Sequence, residues 1–589
     1  MSDEEDTTIL LSGRKEGREK SVTVTPPPVI IKSNNNAVTD KSQSHAILAS
    51  SVAMLGGLAF GYDIGSNDSI LHEMELSFRL TCLQQHMTFN MWLVGAAMAS
   101  VFGGVPVDRL GRRWSTVCAN IMLSVGSAVS ILSSSYAMLL CGRLVAGFGG
   151  ALSAVALHVY LAELATPVSR GKLVQAFHLG AAAGIVLAGS VAGGGVHWLA
   201  AASLGILPPL VAAALAVRLP PSPHFTILRH VAGDPSTRGS SSSVAAAGSL
   251  LETLALALVL VSVVQFSGHS SVALYTRRLF ALLGVCSESA GVVTDITIGI
   301  VKVCFTGMSV CLVDRIGRRP ALLVATTCAM LSVALLGAFS AYGGSSTSWT
   351  NPCNAVPSIS SQPQLIQYSV GEVVAPDLPT GSPPPFPMLP TPVPLIAEPA
   401  PRCMQHEAQP PAAAHVLAIL SALCYQAAYA FGLGPVTWLL LAELFPATTK
   451  GRALALTAGV YWLDDFIVRS TFSSMVESLS VAGTFLLNSV VCMMGILLIF
   501  LFVPETKGKS LHQIAQELKN VSPKTRMYQN LHGLPCLSNN EWLLHKSRQY
   551  RQVSHSGMES TKCHGPQKAV RTGDVSCCWH MPVRGTRTL

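Results

Sequence analysis

The chain has 589 residues, of which 50% are hydrophobic and 12% charged, with a net charge of +8. A soluble domain is about 25% charged, so too few polar residues are present to coat a water-soluble protein of this length. The basic surplus needs no nucleic-acid partner if it lies in loops beside a membrane.

In chain order, residues 1–45 form a polar leader, expected to be disordered and cytoplasmic. No short hydrophobic segment with a cleavage site opens the chain, so no cleaved signal peptide is expected. The leader holds Asp6-Thr-Thr-Ile-Leu-Leu, and Asp6 with Leu10 and Leu11 fits an acidic dileucine signal for a clathrin adaptor. Apolar runs follow near 46–65, 89–107, 116–134, 137–160, 173–195 and 197–217. A linker at 219–248 precedes six more, near 249–274, 287–312, 320–341, 413–441, 453–474 and 482–503. Each is close to the roughly 20 residues that cross a bilayer core as a helix. The expected fold is an all-α membrane protein of twelve transmembrane helices in two six-helix bundles, 46–218 and 249–503. The insert 341–412, with sixteen prolines, interrupts the second bundle, and 504–589 forms a mostly disordered tail.

Lys and Arg concentrate in alternate loops: Arg109, Arg112 and Arg113; Arg170 and Lys172; Arg315, Arg318 and Arg319; Lys450 and Arg452. The opposite loops hold only Arg79, Arg277, Arg278 and Arg402. The positive-inside rule therefore places the first set, and both termini, in the cytoplasm. The insert falls on the other side, where Cys353 and Cys403 can form a disulfide.

Two phrases occur twice. PVDRLGRR at 106–113 returns as LVDRIGRR at 312–319, and LAELATPVSRG at 161–171 returns as LAELFPATTKG at 441–451. Asp108 and Glu163 are 55 residues apart; Asp314 and Glu443 are 129 apart, an excess of 74 that the 72-residue insert almost accounts for. The chain is a duplicated six-helix unit, an organisation of secondary transporters with the substrate site at the repeat interface. The repeated charges, Asp108, Arg109, Arg112, Arg113, Glu163 and Arg170 with Asp314, Arg315, Arg318, Arg319, Glu443 and Lys450, are expected to pair across helices as an inner gate. Arg113 and Arg319 are expected among the latches.

DRxGRR twice, E-x6-R/K-G twice, Gly142-Arg143 and VPETKG at 503–508 resemble the sugar-porter branch of the major facilitator superfamily. The long loop between spans 9 and 10 is similar to class III facilitative glucose transporters. The resemblance covers roughly 45–515 and implies substrate contacts position by position. VQFSG matches the span 7 motif through Gln265, Ser267 and Gly268, with Val264 replacing a glutamine; Ser270 stands near a lost asparagine. Gln265, Gly268, Val272 and Tyr275 would share one helical face, with Tyr275 as a lid. His178 takes a usual glutamine position, and Trp438 and Trp462 would form aromatic walls against a pyranose. The family acid before the span 10 glycines is missing, since Ala430 stands there. In the linker, LPPSPHF lacks the usual acid and base, at Pro221 and His224.

Charges within spans are costly and usually functional. Asp63 and Arg143 form one candidate pair, for proton coupling. Lys302, where many relatives carry asparagine, is a second case, with Asp464 and Asp465 as potential partners. No nucleophile constellation, phosphate loop or metal spacing stands out, so no enzymatic activity, cofactor or metal is expected. The expected function is facilitative transport of a hexose or dehydroascorbate by alternating access, at the plasma membrane or in perinuclear, Golgi or endosomal membranes. The alternatives are a proton-coupled symporter and a non-transporting sugar sensor.

Overall fold

A computed structural model describes residues 35–78, 80–194, 196, 198–222, 225–226, 243–282, 287–342 and 412–532. Asp6, Leu10, Leu11, Cys353, Cys403, most of the linker and the tail after 532 lie outside the described residues.

All regular structure among the described residues is helical. The first half contains α1 (Asn35–Phe78), α2 (Cys82–Phe102), α3 (Gly104–Arg109), α4 (Arg112–Ile131), α5 (Tyr136–Leu164), α6 (Arg170–Gly193), α7 (Trp198–Leu204) and α8 (Leu207–Ala216). The second contains α9 (Ser243–Phe266), α10 (His269–Leu282), α11 (Ser287–Ile316), α12 (Arg318–Tyr342) and α13 (Ala412–Ala428). A π turn (Tyr429–Leu433), α14 (Pro435–Leu444) and α15 (Lys450–Phe502) complete it. Two shorter helices follow, α16 (Leu511–Asn520) and α17 (Pro523–His532). Residues 524–589 are a separate unit, whose described part is the end of α17.

Ten described helical stretches are long and apolar enough to cross a membrane. One of them, α15, has 53 residues. At 1.5 Å per residue it spans about 80 Å, over twice a bilayer core. Ser480, with φ 65°, breaks it into two crossings. The apolar part of α2, Asn90–Phe102, supplies the twelfth.

Three spans are not the continuous helices that apolar periodicity predicts. Span 6 divides at Gly205 and Ile206 between α7 and α8. Span 7 divides at Ser267 and Gly268, where glycine adopts φ +102°. Span 10 passes through the π turn, and Pro435 then opens α14 at a position that needs no N–H donor. Small residues permit the closest packing. A Cβ on Gly61 would lie 1.9 Å from the Ala181 carbonyl, so α1 and α6 approach backbone to backbone. The halves meet where α6 packs on α11 and α2 on α15.

Candidate substrate cavity and gate

The repeated phrases converge at one end of the molecule, where the helix openings are pinned by carboxylates from the opposite half. Asp314 accepts from the amides of Gly171 and Lys172 at 3.0 and 3.1 Å. Asp108 accepts from Gly451 and Arg452, both at 3.1 Å. Each acid satisfies two orphan donors of a helix N-terminus and complements its dipole. Glycine makes room for both carboxylates, because a Cβ on Gly171 or Gly451 would stand 2.4 Å from a carboxylate oxygen, which would have to shift. Burial pushes the Asp108 carboxyl above its ordinary range, opposed by Arg112, Arg452 and the two amides.

Around these caps lie two similar clusters. Arg112 bonds Glu163 at 3.0 Å, the Ser222 hydroxyl donates to the other oxygen of Glu163, and the Phe225 ring packs on the guanidinium. Arg318 bonds Glu443 at 3.2 Å and Asp314 at 3.0 Å, and Thr506 donates to Glu443 at 2.5 Å. The clusters differ in their third base. Arg170 crosses between the halves to Glu443 at 3.3 Å, whereas the buried Lys450 ammonium has no hydrogen-bond partner among the described residues.

Arg113 and Arg319, expected as latches, do not touch these glutamates. Arg113 donates to the Val217 carbonyl, and Arg319 donates to the Phe500 carbonyl at 2.6 Å. One residue along a helix turns the side chain by about 100°, away from the interface and toward a neighbour in the same half. Arg109 and Arg315 are exposed. A further acid, Glu505 of VPETKG, caps α12 by accepting from the amides of Arg318 and Arg319 at 3.1 Å each.

Between the halves lies a cavity of ≈ 150 Å³. From the first half it is lined by Phe60 and Ile64 of α1, His158 of α5, and Phe177 and His178 of α6. From the second come Gln265, His269, Lys302, Tyr429, Trp438, Tyr461, Trp462, Asp465 and Arg469. Gln265 donates its amide to the Tyr461 carbonyl at 3.0 Å, leaving its buried Oε1 without a partner. The Trp462 indole N–H is likewise unpartnered. Its ring packs edge-on against Trp92 at 5.6 Å. His158 Nδ1 lies 2.6 Å from the Ala154 carbonyl and its Nε2 3.1 Å from His178 Nε2. Because the carbonyl only accepts, Nδ1 carries the proton, and of the two facing Nε2 atoms one donates to the other.

Gln265, His178, Lys302, Trp438 and Trp462 therefore line one cavity, as the sequence reading expects. Ser267, Gly268, Ser270 and Tyr275 do not. Ser267 bonds the Tyr425 hydroxyl at 2.7 Å, and Ser270 donates to Asp465. Tyr275 bonds Ser340 at 3.2 Å and packs on Phe485, so it is not a lid. The expected common face fails because the break at Ser267 and Gly268 resets the helical phase. Asp464 holds Ser262 and Asp465 holds Arg469 at 3.2 Å, while Lys302 meets His269 at 3.2 Å. The sequence reading missed His158, His269, Tyr429 and Tyr461. A polar residue within an otherwise apolar span was the available signal for the two histidines.

Asp63 and Arg143 stand 3.7 Å apart beside the cavity. The Asp63 carboxylate also accepts from the Trp92 indole at 2.6 Å. Trp92 thus links this pair to the Trp462 wall.

Two bundles joined by buried charge clusters at one end, around a central cavity with polar and aromatic walls, fit a membrane carrier. The family model described as sugar (and other) transporter matches residues 49–234, 233–358 and 396–518, and the chain belongs to that family. It is 32% identical to facilitated glucose transporter member 10 of Homo sapiens, over 80% of this chain and 93% of that one. It is 28% identical to member 12 of Homo sapiens, over 81% and 85%. Its fold is similar to that of the proton:xylose symporter XylE bound to 6-bromo-6-deoxy-D-glucose, at TM-score 0.60 and 21% identity, covering 80% of this chain and 99% of that one. The chain is a multi-pass membrane protein of the major facilitator fold, in a family of transporters rather than enzymes.

Proposed function

We propose that the chain carries a hexose or a close relative such as dehydroascorbate by alternating access, without a coupled ion. The cavity supports this reading best. Trp438, Tyr461 and Trp462 offer faces and edges to a pyranose ring, while Gln265 Oε1 is a buried acceptor awaiting a hydroxyl. In this reading the charged end is the inner gate in its closed form, and the contacts of Arg170, Asp108 and Asp314 across the halves break when it opens. The names of the relatives, facilitated glucose transporters, agree with it. Purified protein in proteoliposomes should take up labelled D-glucose to equilibrium, and sugar inside should accelerate entry. Binding without flux would instead identify a sensor.

Proton coupling is a second reading, favoured by the Asp63–Arg143 pair at 3.7 Å and by its link to the cavity through Trp92. Under it, uptake rises as outer pH falls and concentrates sugar, and Asp63→Asn leaves only equilibrative exchange. Flat uptake from about pH 5.5 to 7.5, the range of histidines and shifted carboxylates, removes it. We further assign the protein to the plasma membrane or to endomembranes, reached through adaptor binding at Asp6, Leu10 and Leu11. Loss of adaptor binding in a Leu10→Ala, Leu11→Ala variant tests this.

A further inference from the structure

We propose that the cavity also accepts a sugar acid, a hexuronate-type monoanion, and that Lys302 binds its carboxylate. This inference rests on the sugar-transport reading above and names a second substrate class for the same site.

The charges that line the cavity do not cancel. Three charged side chains face it: Lys302, Arg469 and Asp465. Asp465 is committed to Arg469, with both oxygens 3.2 Å from Nε, and it also accepts from Ser270. The remaining cation is Lys302. Its ammonium lies 3.2 Å from His269 Nε2 and 5.8 Å from the Tyr429 ring centre. Among the described residues no carboxylate stands within 4.0 Å of it. Asp295, two turns earlier on α11, is held by Arg277 at 3.0 Å.

An ammonium in the middle of a carrier is costly, and such groups mark substrate or ion pathways. The contacts of Lys302 hold it without neutralising it. His269 must present a bare Nε2 to accept from an ammonium, so its proton is on Nδ1 and the ring is uncharged. Tyr429, stacked on His269 at 3.8 Å, offers its face to the cation. An arriving carboxylate would accept a charge-assisted hydrogen bond from the remaining N–H groups. The other polar groups of the cavity carry no fixed charge: Gln265 Oε1, the Trp462 N–H, and the His158–His178 pair, in which one ring must be uncharged to accept from the other. One fixed cation among neutral hydrogen-bonding groups and aromatic walls fits a ring bearing hydroxyls and a single carboxylate.

The test uses the purified full chain in proteoliposomes, with labelled D-glucuronate, D-glucose and L-lactate under set potassium-diffusion potentials. Glucuronate should enter saturably, and faster with the interior positive, because the carried species is an anion. Glucose uptake should not respond to voltage. Lys302→Gln should lower the glucuronate-to-glucose ratio of kcat/KM by about tenfold or more, the scale of a charge-assisted bond, and Lys302→Arg should restore most of it. Glucose flux without glucuronate flux overturns this inference alone, as does an unchanged ratio in Lys302→Gln. Lactate carried as well as glucuronate overturns the assignment to sugar acids. Absence of flux for both sugars overturns the transport reading and this inference with it.

Discussion

The carboxylates that reach across the halves should set how readily the gate opens, and Asp314→Asn isolates one of them. Asp314 takes two amide hydrogens from the opening of α6, at 3.0 and 3.1 Å, and in the gate reading proposed above these bonds exist only while the halves are closed there. Its bond to Arg318 lies within one half and persists in either form, so it cancels. A hydrogen bond to a charged group contributes about 1.5–3 kcal/mol, and a negative charge at a helix N-terminus up to about 1 kcal/mol more. Asparagine keeps one acceptor oxygen and loses the charge. The closed form should therefore weaken by roughly 2 kcal/mol, a shift of about thirtyfold toward the open one. Hydrogen exchange reads this directly. Amides at the α6 opening should lose protection by about that factor, and those at the α15 opening, capped by Asp108, should loosen with them. Unchanged exchange at both openings, in a variant that melts like the parent, would refute the reasoning.

Four other substitutions have expected outcomes from the same geometry. Gln265→Ala and Trp462→Ala should each raise the apparent KM for sugar about fivefold, since each lost hydrogen bond or stack is worth about 1 kcal/mol; wild-type KM in both removes them from the cavity role. Gly61→Ala should prevent folding, because its Cβ would lie 1.9 Å from the Ala181 carbonyl; normal yield of monodisperse protein would contradict the close α1–α6 packing. Glu505→Gln should lower the melting temperature by a few degrees, through the loss of a charged cap on two amides of α12; an unchanged melting temperature would show that the cap contributes nothing.

The sequence made the spans and the convergence of the repeated charged phrases legible, because each rests on a pattern longer than one residue. Apolar runs near the thickness of a bilayer and a phrase written twice survive small errors of register. The cavity contacts were legible only in part, because they depend on helical phase. Ser267 and Gly268 interrupt that phase, so a face drawn through Gln265 and Tyr275 joins residues from two separate helices. The gate arginines fail for the same reason on a smaller scale: adjacent residues in GRR point to different neighbours, and only the packed structure separates Arg112 from Arg113. The duplication nevertheless makes the departures interpretable. Counted back from Ser222 and Thr506, which donate to equivalent glutamates, Pro221 stands where Glu505 stands in the second half. Glu505 caps α12, whereas α4 has no side-chain cap and has the Phe225 ring against Gly111 instead. Arg170 binds Glu443 across the halves, but Lys450 makes no matching bond to Glu163. The second asymmetry decides how the halves are joined. Glu443 joins the halves through its own cluster, while Glu163 is held within the first half by Arg112 and Ser222. Parting of the halves should therefore break the Arg170 bond to Glu443 and the Arg112 bond to the Ala447 carbonyl, while Arg112–Glu163 and Arg318–Glu443 persist within their own halves.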